Sequence, residues 1–162
     1  MSLQDIKAGC PQGSRLGPLL FIIYINDICK DIESEIIIFA DDTTLLASGP
    51  NTTDTSEQLS RDLLKINEWA AKWKETFNPN KTKDIIFSDK TLPDCPPLVF
   101  NNTQIERVNK HRHLGIILTP NLDWSAQVND VCLKANRKIN ILRCAKFLKR
   151  QTLDLLYKLT IR

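Results

Sequence analysis

Two adjacent carboxylates, Asp41 and Asp42, stand between two apolar runs, Glu35-Ile36-Ile37-Ile38-Phe39-Ala40 and Thr43-Thr44-Leu45-Leu46-Ala47-Ser48. Side by side and without a basic neighbour they repel each other, at a cost to stability unless a cation sits between them or water screens them. Hard oxygen donors of this kind suit magnesium or manganese, Mg2+ or Mn2+. Taken as a dipeptide alone, Asp-Asp also reads as nothing more than a polar turn. The flanking runs are short, rich in β-formers and bounded by polar clusters, which predicts a β-hairpin with the acids at its tip. Asp tolerates the unusual backbone angles that a tight hairpin turn demands.

Upstream, Gly9-Cys10-Pro11-Gln12-Gly13-Ser14-Arg15-Leu16-Gly17-Pro18 is loop by composition and must lead into a helix. Ser14 is the expected N-cap. Leu16, Leu19 to Ile25 and Ile28 are apolar almost all round, the pattern of a buried helix. Glycines before a helix N-terminus let backbone N–H groups approach a phosphate, although neither the dinucleotide fingerprint nor the P-loop pattern is present, and a plain turn fits as well.

The chain has 162 residues, one domain's worth, and 42% of them are hydrophobic, enough to bury a core. Its five cysteines form no Cys-x-x-Cys pair and neither histidine lies close to one, so they read as reduced intracellular thiols rather than a zinc site. No apolar run is long enough to span a membrane and no secretory leader is evident, so an intracellular location, cytoplasm or nucleus, is expected. The net charge of +3 hides an asymmetry: Lys134 to Arg162 carry nine basic residues against Asp154 alone, a balance of +8, and the rest of the chain carries −5. That points to an anionic polymer or surface as partner for the C-terminal part, with a solvated helix face as the alternative.

The run from Gly9 to Phe21, followed about twenty residues later by Phe39-Ala40-Asp41-Asp42, resembles the palm of a reverse transcriptase of the Jockey type of non-LTR retrotransposon. Asn78-Pro79-Asn80-Lys81-Thr82 is similar to that family's Asn-x-x-Lys-Thr segment. His113-Leu114-Gly115-Ile116 with Leu122-Asp123-Trp124 is similar to its Leu-Gly segment before the thumb.

The resemblance implies an RNA-directed DNA polymerase that extends a DNA primer on an RNA template from deoxynucleoside triphosphates, by two-metal phosphoryl transfer. Asp41 would ligate catalytic metal with Asp42 assisting. Pro11, Gln12, Gly13 and Ser14 would border the incoming nucleotide, and Lys81 would lie near its triphosphate, an ordinary surface lysine being the alternative. Leu114 and Gly115 would form the turn that grips the primer. From the charge asymmetry rather than the resemblance, Lys138, Lys149 and Arg150, together with Arg137 and Lys146, would meet phosphates. Polymerases of this class draw a further essential aspartate from a strand before the Gly-Cys-Pro-Gln-Gly loop, and only eight residues precede Gly9. Asp5 is a poor substitute, Met1 reads as an internal start, and the chain alone is expected to be inactive. A catalytically inactive nucleic-acid-binding remnant is the competing expectation.

Further along, Thr55 and Gln58 suggest a capping box before a helix whose packing stripe is Leu59, Leu63, Ile66, Ala70 and Trp73, with Trp69 also expected to pack in the core. Asp84 to Ser88 reads as a strand and Leu92 to Pro97 as a linker. Leu98 to Phe100 and Ile105 to Val108 should form a hairpin around residues 101–104. His111 and His113 are placed on opposite faces of an extended segment that leads to a strand from Leu114 to Leu118, against shared metal ligation. Two helices, 125–147 and 151–160, follow Pro120. The expected whole is α+β: a palm-type antiparallel sheet with packed helices over residues 1–120, then a basic, thumb-like helical segment over 121–162.

Overall fold

The computed structural model describes residues 13–88, 95–145 and 147–160, and among them four helices and runs of short strands make an α+β chain. The chain divides into two compact units, Met1–Thr82 with Pro93–Ile105, and Lys83–Leu92 with Glu106–Arg162.

The first unit is built on one long helix, α2. Ahead of it come α1 (Leu16–Ile25) and the hairpin β1 (Glu35–Phe39) and β2 (Asp42–Leu46); α2 itself is Thr52–Trp73, and after β3 (Lys83–Asp84), which belongs to the other unit, come β4 (Val99–Phe100) and β5 (Thr103–Gln104). Leu63, Ile66 and Ala70 recur at helical spacing and are buried, with Leu59 half-buried beside them. They meet Ile28, Leu98, Phe100 and Ile105 in the core, against which Ile36, Ile38 and Leu45 of the hairpin also pack. Burial of each such aliphatic side chain contributes roughly 1.5–3 kcal/mol relative to leaving it in water. An aromatic file flanks this core: the Tyr24 ring lies edge-on to Trp69 and Trp73, at 5.6 and 5.5 Å, and Phe77 bridges Trp69 to Phe100. Trp69 packs on the core as expected, and its Nε1 donates to Asp27 Oδ1 at 2.8 Å; Trp73 is 40% exposed at the end of the file.

The hairpin expected between 98–100 and 105–108 turns earlier, pairing Val99–Phe100 with Thr103–Gln104 around Asn101-Asn102, and three further expectations fail in this unit. α1 is not a buried helix: no residue in it is buried, and Leu16, Ile22 and Ile23 are each more than 60% exposed. An all-round apolar pattern calls for cover on all sides, and among the described residues only the end bearing Tyr24 and Ile25 finds it. The capping box is also absent. The helix starts earlier, behind Asn51, and Thr55 lies inside it with its hydroxyl donating back to the Thr52 carbonyl at 2.9 Å, while Gln58 Nε2 donates to Ser34 Oγ at 3.3 Å. Ser14 is not the N-cap, a position held by Arg15; its hydroxyl nevertheless accepts the Leu16 N–H at 3.2 Å.

In the second unit, β3 (Lys83–Asp84) pairs in parallel with β6 (Glu106–Arg107), and β7 (His111–His113) pairs with β8 (Ile116–Leu118). The strand expected over Asp84–Ser88 shrinks to its first residue plus Lys83, because pairing ends at Arg107; beyond it Ser88 N–H donates to the Pro120 carbonyl at 3.0 Å. Leu114 does not begin a strand. Leu114 and Gly115 take φ of 47° and 87° and form the β7–β8 turn, left-handed angles that suit glycine far better than leucine. His111 and His113 share one face, with rings stacked at 6.3 Å, since residues two apart on a strand point the same way. No third His, Cys, Asp or Glu joins them in a metal-binding group among the described residues. α3 (Ser125–Cys144) and α4 (Arg150–Thr160) complete the unit close to the expected limits. Asp123 opens α3 by accepting the Ser125 amide at 3.0 Å, and Ser125's hydroxyl and amide hold its carboxyl below the usual range. Among the described residues no helix is long and apolar enough to cross a membrane.

Candidate functional site

The expected acid-tipped hairpin is present. β1 and β2 pair antiparallel from Glu35↔Leu46 to Phe39↔Asp42, so the turn is Ala40-Asp41 and Asp42 is the first residue of β2. The strained angle falls on Ala40, φ 53°, rather than on either aspartate. Both carboxylates are exposed, and neither forms an ion pair or side-chain hydrogen bond among the described residues. Two unpaired carboxylates on a tight turn are a fit donor set for one hard divalent cation that keeps most of its waters.

Gly13 has φ 83°, and a Cβ there would meet nothing within 4 Å, so the backbone angle rather than space calls for glycine. Ser14 beside it is tied to the start of α1. Pro11 and Gln12 lie outside the described residues. Lys81 sits in a loop made by Asn78 and Thr82: the Asn78 carbonyl accepts the Lys81 and Thr82 amides at 3.1 and 3.3 Å and the Thr82 hydroxyl at 3.2 Å, and Asn78 Oδ1 accepts the Asn80 amide at 3.0 Å. Asn and Thr of the motif thus build the loop and leave the lysine displayed, exposed and without an ion pair among the described residues. Gly13, Ser14, Asp41, Asp42 and Lys81 belong to one unit, although no hydrogen bond or ion pair links the three groups among the described residues.

Leu114, Gly115, Lys138, Lys149 and Arg150 belong to the other unit. The Leu114-Gly115 turn is held by Arg112, whose Nη1 donates to the Gly115 carbonyl at 3.4 Å and whose Nη2 pairs with Asp130 of α3 at 2.8 Å. Lys134 joins the same carboxylate, and the two cations hold Asp130 below the ordinary range. Ion pairs take up Lys134 and, with Asp154, Lys158. Arg137, Arg143, Lys149 and Arg150 are exposed and form none among the described residues; Lys138 is exposed as well, and Lys146 lies outside them.

The residue that sequence reasoning missed is Asp62. It is 0% exposed on the core side of α2, and its two oxygens accept the backbone N–H groups of Glu33 at 3.0 Å and Ser34 at 2.8 Å, immediately before β1. Burial pushes its carboxyl up, and the Glu33 and Ser34 amides with Lys65 more than reverse this, so it stays below the usual range. Glu33 in turn pairs with Arg61 at 2.8 Å and Lys65 at 3.2 Å. The available signal was an acid set into the stripe Leu59, Leu63, Ile66.

The family described as "Reverse transcriptase (RNA-dependent DNA polymerase)" matches residues 3–118, which span the Gly13 loop, the acidic hairpin, the Lys81 loop and the Leu114-Gly115 turn. The chain belongs to the reverse transcriptase family. It is 29% identical over 138 residues to "RNA-directed DNA polymerase from mobile element jockey" of Drosophila funebris, covering 80% of this chain and 15% of that protein. It is likewise 29% identical over 140 residues to "Probable RNA-directed DNA polymerase from transposon X-element" of Drosophila melanogaster, covering 83% of this chain and 15% of that one. A Bradysia coprophila relative, "Retrovirus-related Pol polyprotein from type-1 retrotransposable element R1", is 28% identical over 126 residues, 75% of this chain and 12% of its own. The resemblance to reverse transcriptases of Jockey-type retrotransposons therefore holds, and the chain spans about 15% of the length of the first of these relatives. No solved structure matches it.

Proposed function

We propose that this chain is the palm portion, with the start of the thumb, of an RNA-directed DNA polymerase from a non-LTR retrotransposon, and that residues 1–120 and 121–162 divide it accordingly. One observation carries the reading: an acid doublet at the tip of a hairpin, without an ion pair among the described residues, lies inside the segment that matches the reverse transcriptase family. Asp41 and Asp42 would hold Mg2+ or Mn2+, which supplies charge stabilisation at the attacking and leaving oxygens of a phosphoryl transfer. Gly13 and Ser14, with Pro11 and Gln12 before them, would border the incoming deoxynucleotide, and Lys81 would offer its ammonium to the triphosphate. Leu114 and Gly115 would bring backbone close to the DNA primer paired with its RNA template. Two carboxylates cannot by themselves complete a clamp on two metals, so catalysis by the chain alone should be absent.

Primer extension on an RNA template with either metal tests this, comparing the chain with Asp41→Ala. No processive extension is expected from either form. Robust extension that disappears in the variant would refute the claim that the doublet is incomplete, and extension untouched by Asp41→Ala would refute the role of the doublet. A second reading, an inactive nucleic-acid-binding remnant, is favoured by the exposed cations Arg137, Arg143, Lys149 and Arg150.

A further inference from the structure

Where α3 and α4 pack on each other they leave an open groove of about 390 Å3. Each helix lines it with one face: Ile139, Leu142 and Arg143 at i, i+3 and i+4 of α3, and Arg150, Leu153, Asp154 and Tyr157 at i, i+3, i+4 and i+7 of α4. The three aliphatic side chains are half-buried and make an apolar floor, while both arginines are exposed and form no ion pair among the described residues. Asp154, the acid in that lining, is already taken up by Lys158 at 2.8 Å. The groove is therefore apolar within and cationic at its edges.

Tyr157 is not used up by this packing. Its ring is 48% exposed and its hydroxyl has no hydrogen-bond partner among the described residues, although an aromatic side chain normally contributes through burial of its large surface. A flat ring held half open beside an aliphatic floor suits a second flat apolar surface, and the two guanidinium groups suit an anion within reach of it. A nucleotide carries both in one ligand: a base with an open π-face, and phosphates on either side of it. The interior of a duplex cannot offer this, because each of its bases is already stacked on both neighbours. We propose that Tyr157 is a stacking platform for an unpaired base, with Arg143 and Arg150 holding the phosphates that flank it, so that the α3–α4 groove is a subsite for single-stranded RNA or DNA. This rests on the reading of the exposed cations of the helical segment as phosphate ligands, and adds to it a contact that involves no charge.

The test is fluorescence anisotropy of the full chain across a salt series, for the parent, Tyr157→Ala, Tyr157→Phe, and Arg143→Gln with Arg150→Gln. The probes are a short labelled single strand of mixed sequence, the same strand with every base replaced by an abasic site, and the corresponding duplex. Tyr157→Ala should weaken binding of the single strand by roughly 5- to 150-fold at every salt concentration and leave its salt slope unchanged, because stacking releases no counterions. Tyr157→Phe keeps the ring and should stay within about twofold of the parent. The abasic strand should bind the parent as weakly as the normal strand binds Tyr157→Ala, and the duplex should not tell Tyr157→Ala from the parent. The double arginine variant should make the single-strand slope shallower by about 1.4. Equal binding of the normal and abasic strands by the parent would overturn the proposal without any variant, so a Tyr157→Ala chain that fails to fold leaves the decision intact. A loss in Tyr157→Phe as large as in Tyr157→Ala, an equal loss on the duplex, or an unchanged slope in the double arginine variant would each overturn it as well. So would sedimentation showing a dimer of the parent that Tyr157→Ala dissolves, since the groove would then belong to a second copy of the chain. The two readings fail differently: a normal salt slope with no effect of the base sinks the stacking platform and leaves the phosphate contacts standing, whereas a flat salt response of the parent sinks both.

Discussion

Arg137, Arg143, Lys149 and Arg150 set the size of the salt dependence expected for nucleic-acid binding by the helical segment. Ion pairs take up Lys134 and Lys158, and these four exposed guanidinium and ammonium groups form none among the described residues, so they are the basis of the estimate. Each phosphate neutralised releases counterions, so log K should fall against log salt with a slope of about −2.8 for single strands and −3.6 for duplex if all four engage. Between 50 and 200 mM salt that is roughly a 50-fold loss for single strands and a 150-fold loss for duplex. Replacing Lys149→Glu and Arg150→Glu removes two contacts and should cut the slopes to about half, with weaker binding at every salt concentration. Fluorescence anisotropy with short labelled RNA and DNA oligonucleotides across a salt series reads both quantities. A flat salt response, or equal binding by the double variant, would refute the assignment of these cations to phosphates. A strong preference for one sequence would refute it as well, since phosphate contacts carry no base information.

Manganese titrated into the labelled chain should broaden amides of residues 40–43 first and weakly, and a focus elsewhere would move the metal site off the doublet. Asp62 and Glu33 both sit below the ordinary carboxylate range, so the stability they confer is complete above the unfolded-state values near ~4 and is lost as pH falls through their lower folded values. Denaturation followed from pH 6 down to pH 2.5 should therefore steepen below about pH 4, and less so in Asp62→Asn; stability constant over that span would count against the network. At Ala40, whose φ is 53°, Ala40→Gly should be neutral to slightly stabilising, whereas Ala40→Val should cost about 1–2 kcal/mol. Thermal melts would show this as a fall of roughly 2–8 °C for valine only, and equal melts for both variants would mean that the turn does not hold this angle in solution.

The hairpin and α2 were legible because their signals are local: β-formers around an acid doublet, and apolar residues at helical spacing. By propensity the Leu-Gly segment reads as strand from Leu114, although its resemblance to the family motif implied a turn, because the turn puts leucine at a left-handed angle that propensity argues against and pairing between β7 and β8 enforces. α1 shows the opposite failure. Its pattern states what the helix needs, and burial depends on which other residues are there to cover it. Asp62 was invisible as an anchor because its partners, the amides of Glu33 and Ser34, carry no side-chain signature and lie about thirty residues upstream. Of the site itself, residue types were readable from the motifs, while the structure supplied the display of Lys81 by Asn78 and Thr82 and the strain at Ala40.

Among the described residues the four sheets have two strands each, and three of them join neighbours across a two-residue turn. Such hairpins close on a timescale of about 1–10 μs and need little chain ordered beforehand. The exception is β3–β6, a ladder two residues long that closes a loop of more than twenty residues and is flanked by the Lys83–Glu106 and Asp84–Arg107 ion pairs. Loop closure makes it the last ladder to form and the first to open, so folding of the second unit should proceed from its β7–β8 hairpin and α3 outward. Its amides should be among the first in that unit to exchange with solvent, and the charge pairs across it make the rate of that opening dependent on ionic strength.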